Sequence, residues 1–110
     1  MKCPSTYSCP VEATLELIGG KYKALILFHL IDETLRFNQL QKLIPQATPK
    51  MLTQQLRELE KDGLLSRTVY PVVPPKVEYS LTAFGQSIIP VLNAMCNWGT
   101  DYLDSLAKVN

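Results

Sequence analysis

The stretch Ala47-Thr-Pro-Lys-Met-Leu-Thr-Gln-Gln-Leu-Arg-Glu-Leu-Glu-Lys-Asp-Gly-Leu-Leu65 decides how the rest of the chain is read, because both ends of a helix are marked in it. Thr48 is suited to cap the N-terminus, Pro49 suits the first helical position, where a missing N–H costs nothing, and Gly63 supplies a left-handed stop. Leu52, Leu56 and Leu59 recur at helical spacing and make a side that packs on a core. Lys50, Thr53, Gln54 and Arg57 share another side, and each of them can donate a hydrogen bond. The acids Glu58, Glu60 and Asp62 fall in the last turns, which leaves the first turns open to an anion at the positive end of the helix dipole. A helix over about 49–62 with this face is built like one that reads the major groove of DNA. An ordinary amphipathic helix with a solvated face has the same pattern, so the neighbouring segments decide between the two.

Upstream, Pro10 and Glu12 open a short helix that runs through Leu15, Leu17 and Ile18 to Gly19-Gly20, with Cys9 at its N-terminus. Lys21 to Ile31 is apolar nearly all round and reads as a buried second helix. Its His29 has no carboxylate or cysteine close in sequence and is read as a core or surface histidine. Leu35-Arg36-Phe37 is long enough only for a single extended bridge. Asn38 is placed to cap a third helix carrying Leu40, Leu43 and Ile44, which Pro45 stops. The link from Pro45 to Thr48 is so short that the two helices cannot lie end to end, which is the helix-turn-helix arrangement.

Downstream, Ser66 to Val73 is rich in Thr, Val and Tyr, Pro74-Pro75 breaks it, and Lys76 to Leu81 alternates with period two. A strand, a proline-stiffened loop and a return strand over about 65–81 make a wing, with Arg67 and Lys76 carrying cations toward a phosphate backbone. From Thr82, a plausible cap, a dimerisation helix is expected over about 82–107. Pro90 either kinks it or starts a second piece. Ile88, Leu92, Met95, Trp98, Tyr102 and Leu106 belong to an apolar sector larger than one small domain covers, and a second copy of the chain is the simplest partner.

The fold class expected is therefore mainly α with a small β wing: a loose arm over 1–8 and one winged helix-turn-helix domain over 9–110. Length and composition agree, since 110 residues that are 46% hydrophobic suit one globular unit and not a disordered chain. No run is long and apolar enough for a membrane span and no signal-peptide pattern is present, so a cytoplasmic protein is expected. Cys3, Cys9 and Cys96 show no paired metal-ligand spacing, and neither a disulfide framework nor a metal or cofactor site is indicated. The net charge is only +1, yet residues 36–76 hold seven basic against three acidic side chains, while the remainder holds four against seven. The candidate DNA contacts are Arg36, Lys50, Thr53, Gln54, Arg57, Arg67 and Lys76. An enzyme is not expected, because no acid, base or nucleophile set converges. A winged-helix module that binds only protein is the rival reading, and salt-sensitive DNA binding separates the two.

The runs Cys9-Pro-Val-Glu-Ala-Thr, Leu17-Ile-Gly-Gly-Lys-Tyr-Lys, Leu35-Arg-Phe-Asn-Gln-Leu, Lys50 to Leu64 and Pro74-Pro-Lys-Val-Glu-Tyr-Ser-Leu-Thr resemble the HxlR family of bacterial regulators from Cys9 to about Gly99. The resemblance implies a homodimeric winged-helix protein, related to MarR-type regulators, that binds operator DNA. It differs in Tyr22, where tryptophan is common, and in the additional Cys3 and Cys96. Several members sense electrophiles or oxidants through a cysteine just before the first helix, the position of Cys9. Unsatisfied N–H groups and the dipole at that helix start favour the reactive thiolate, and Lys2, Lys21 or Lys23 would add positive charge if the fold brought one close. Cys96, among Leu92, Met95 and Trp98, is expected to behave as a small buried hydrophobe, and Cys3 to be accessible on the arm.

Overall fold

The turn signals and hydrophobic periods are realised as alternating short helices, a hairpin and a long last helix. In the computed structural model, which describes residues 9–109, the order is α1 (Pro10–Ile18), α2 (Lys23–His29), α3 (Phe37–Leu43), α4 (Pro49–Lys61), β1 (Leu65–Tyr70), β2 (Lys76–Leu81), α5 (Ala83–Gln86) and α6 (Ile89–Val109). This is a winged helix-turn-helix with a C-terminal helix. The arm expected over residues 1–8, with Lys2 and Cys3, lies outside the described residues.

α4 is fastened at both ends. The Thr48 hydroxyl accepts from the Met51 N–H at 3.1 Å, and Pro49 follows in the first turn. At the other end Leu64 N–H donates to the Leu59 carbonyl and Gly63 N–H to the Glu60 carbonyl, both at 3.0 Å. That closure needs the left-handed φ of +79° at Gly63. Leu52, Leu56 and Leu59 are fully buried at the centre of a core shared with Ile26, Leu27, Leu40 and Ile44. Each such side chain contributes about 1.5–3 kcal/mol by leaving water.

The helix before it starts two residues earlier than a cap at Asn38 would allow. Leu35 is held extended by two backbone bonds to Tyr79, Leu35 N–H to the Tyr79 carbonyl at 3.0 Å and the reverse at 2.8 Å. Arg36 therefore becomes the flanking residue, and its N–H donates to Gln39 Oε1 at 2.8 Å. Asn38 lies inside α3 and is exposed. In the turn, Gln41 Nε2 donates to the Ala47 carbonyl at 2.7 Å, which ties α3 to the start of α4.

α2 is shorter than the apolar run, and Lys21 and Tyr22 form its approach. The segment from Thr82 is two helices. Thr82 caps only α5, accepting from Gly85 N–H at 2.9 Å, and α6 begins with Pro90 in its first turn. This double start brings the beginning of α6 onto α2. Leu92, expected at a partner interface, is consequently buried in its own chain's core at 2% exposure, and Ile88 packs against the same core. Met95, Trp98, Tyr102, Leu103 and Leu106 remain exposed, Trp98 at 70%. Cys96 is exposed too, contrary to the expectation of a buried thiol, because α6 has by then left the core. Among the described residues no helix is long and apolar enough to cross a membrane.

Candidate nucleic-acid interface

The packing of α4 leaves Lys50, Gln54 and Arg57 exposed and Thr53 half-buried. With Pro49 and Glu58 they line an open depression of about 640 Å³. Thr53 is less of a donor than expected: its hydroxyl donates back to the Pro49 carbonyl at 2.8 Å, leaving the oxygen's acceptor capacity and the methyl group for a ligand. Among the described residues neither Lys50, Arg57, Arg67 nor Arg36 takes part in an ion pair, so their charges are uncommitted.

The wing divides its two cations. Arg67 pairs in register with Tyr79 and Tyr70 with Lys76. Directly opposed residues share a face and successive ones along a strand do not, so Arg67 and Lys76, whose partner Tyr70 is three residues from Arg67, project from opposite faces of the ribbon. Arg67 faces α4 across a cleft of about 300 Å³ that Thr53, Arg57, Glu60 and Tyr79 also line. Lys76 is engaged within the wing, 3.5 Å from Glu78 Oε2 and 5.0 Å from the centre of the Tyr70 ring. Hydrogen bonding to Glu78, and then its negative charge, push the Tyr70 phenol above its ordinary 10.0. Of the two cations expected to meet phosphate near the wing, Arg67 is turned toward α4 and Lys76 is paired with Glu78. Arg36 is exposed at the start of α3.

Two residues that hold this surface in place escaped the sequence reading. Gln55 is buried, and its Oε1 accepts from Tyr22 N–H at 3.2 Å. Lys23 is buried with its Nζ 3.5 Å from Glu58 Oε2. A signal existed for Gln55, since it lies three residues after Leu52 and so on the core side of α4. Lys23 had no such signal. Of the lysines expected near Cys9, Lys23 is paired with Glu58 and Lys21 lies over the Tyr22 ring at 5.3 Å.

Cys9 is half-buried in the residue position flanking α1, with extended backbone, and its carbonyl accepts from Ala13 N–H at 3.3 Å. α1 also exposes Val11 and Leu15, which line one groove with Val91 and Met95 of α6. The apolar sector therefore extends beyond the C-terminal helix. No group of three or more metal-ligating side chains is assembled among the described residues.

Residues 17–107 match the family model described as HxlR-like helix-turn-helix. The chain belongs to this family. One relative, the HTH-type transcriptional regulator YdeP of Bacillus subtilis, is 56% identical over 101 residues, covering 92% of this chain and 79% of YdeP. Among solved structures, the redox regulator HypR in its reduced form matches with a TM-score of 0.84 at 50% identity, over 90% of this chain and 98% of HypR. Its oxidised form matches with a TM-score of 0.82 at 53% identity, over 84% and 96%.

Proposed function

We propose that this HxlR-like chain is a DNA-binding transcriptional regulator that acts in the cytoplasm as a homodimer, reading operator DNA with α4 and holding the backbone with its wing. The observation that carries the reading is the exposed, uncommitted Lys50, Gln54 and Arg57 on a helix whose opposite side is locked into the core. Arg57 has the planar fork that pairs bidentately with guanine, and Gln54 the amide that pairs with adenine. Lys50, in the first turn, suits a phosphate or base edge. Arg67, turned toward α4, suits the backbone beside the groove. The exposed apolar sector of α1 and α6 supports assembly of two copies, because Met95, Trp98, Tyr102 and Leu106 would otherwise meet water. Two copies present two α4 helices to successive half-sites.

Oxidation or alkylation of Cys9 is the proposed signal. The sulfur sits where α1 begins, and α1 contributes Val11 and Leu15 to the apolar sector, so a modification there would shift the dimer between DNA-competent and incompetent forms. The membership of HypR, a redox regulator, among the similar structures supports this part. A gel-shift assay on DNA flanking the chain's own gene, with unrelated DNA as competitor and with or without oxidant, tests both parts. Retarded operator that unrelated DNA does not displace supports the regulator, and no retardation at low salt refutes it. A Cys9→Ser protein that still responds to oxidant as wild type does removes Cys9 as the sensor.

A further inference from the structure

Glu58 follows Gln54 by one helical turn and lies on the flank of the face proposed to meet DNA. An unopposed carboxylate there would repel the phosphates that Lys50 and Arg57 attract. It is opposed by a buried cation from outside the helix-turn-helix unit. Lys23, at the start of α2, is 8% exposed, and its Nζ stands 3.5 Å from Glu58 Oε2, whose side chain is 44% exposed. The lysine stem runs over Gly20, where a Cβ would come within 2.8 Å of Lys23 Cδ and 2.6 Å of Gln55 Oε1. The same junction is bonded to the helix-turn-helix twice more. Tyr22 N–H donates to Gln55 Oε1 at 3.2 Å and the Tyr22 hydroxyl to the Gln46 carbonyl at 3.1 Å.

We propose that Lys23 is a positioning residue of the DNA interface: it draws the Glu58 carboxylate toward α2 and cancels its charge, so that the Lys50, Gln54 and Arg57 face stays cationic. The proposal rests on the reading of α4 as the DNA-contacting helix. A purely structural lysine would support folding whatever stood at position 58. A charge-masking lysine is needed only while Glu58 carries its charge.

That difference is measurable on any duplex, because attraction to phosphates does not depend on base sequence. Binding of a short labelled duplex of arbitrary sequence is followed by fluorescence anisotropy at low salt, with a thermal melt of each variant. Lys23→Met keeps the stem and removes the charge, and binding should weaken by about fivefold, the scale of one partly exposed ion-pair interaction. The double variant Lys23→Met with Glu58→Gln should return to within about twofold of wild type, the limit expected when no coupling remains. Lys23→Arg should hold binding at the wild-type level. A double variant as weak as Lys23→Met, at an unchanged melting temperature, overturns the proposal, and so does a Lys23→Met protein that binds as wild type does. If Lys23→Met does not fold, Lys23→Gln is compared with and without Glu58→Gln under the same two criteria. Failure of the wild type to bind any duplex at low salt instead brings down the DNA-binding reading itself.

Discussion

α4 and α6 are both amphipathic, but they stand in opposite relations to the rest of the chain. α4 is closed at each end by its own neighbours, Thr48 and Gly63, and buries Leu52, Leu56 and Leu59 in the same molecule. What it exposes is polar. α6 buries Leu92 and then departs, exposing Met95, Trp98, Tyr102, Leu103 and Leu106 in succession. A helix whose polar side faces water is complete in one chain, whereas a helix whose apolar side does so is half of an interface. On the proposed reading the two faces take different partners, nucleic acid for α4 and a second copy for α6.

Substitutions along α6 should break this contrast most visibly. Leu92→Ala leaves a cavity in the chain's own core and should cost about 2–5 kcal/mol, read by denaturant unfolding. Trp98→Asp should spare that core and instead yield monomers by sedimentation, removing any dependence of the melting temperature on protein concentration. If both variants behave alike, α6 does not have two separate duties.

On α4, Arg57→Ala should cost about 1–3 kcal/mol of operator affinity if the guanidinium pairs with a base. Arg67→Ala should weaken all sequences alike and lower the salt slope by about one. Lys76→Ala should do less than either, since Lys76 is already held by Glu78 and faces away from α4. An effect of Lys76→Ala larger than that of Arg67→Ala would reverse the assignment of the wing's faces.

The helix ends offer a sharper, smaller test. Thr48→Ala removes the bond to Met51 N–H and should cost about 1 kcal/mol of stability. Gly63→Ala meets no neighbour within 4 Å, so its cost, about 1–2 kcal/mol, is that of the left-handed backbone alone.

The smallest effect belongs to Tyr70. Its folded phenol holds its proton above the ordinary 10.0, because of Glu78. The unfolded chain loses that proton first, so any contribution to stability is present below pH 10 and is lost as pH rises through the raised value. Ultraviolet titration should show the Tyr70 phenol losing its proton late, and Glu78→Gln should bring it back toward normal.

Much of the architecture was legible because its signals are local. Thr48-Pro49 and Gly63 mark the two ends of α4, and the period-two run from Lys76 to Leu81 marks the return strand. What stayed hidden depends on contacts between distant segments. Nothing local announces that Lys23 will be buried against Glu58, or that the Leu35 bridge to Tyr79 will move the start of α3 from Asn38 to Arg36. The opposite facing of Arg67 and Lys76 follows from the register, which pairs Tyr70 with Lys76 across the turn and which composition does not specify. Leu92 fits the same heptad-like series as Tyr102, and only the packing of the start of α6 against α2 separates a core residue from an exposed one.

Sedimentation of the protein with a duplex carrying the DNA upstream of its gene, at low and at raised salt, tests the central claim most directly. Two protomers should travel with each duplex at low salt and leave it steeply as salt rises, with Arg57→Ala already largely free at the lower concentration. A monomer that ignores the duplex, or a complex indifferent both to salt and to Arg57→Ala, would contradict it.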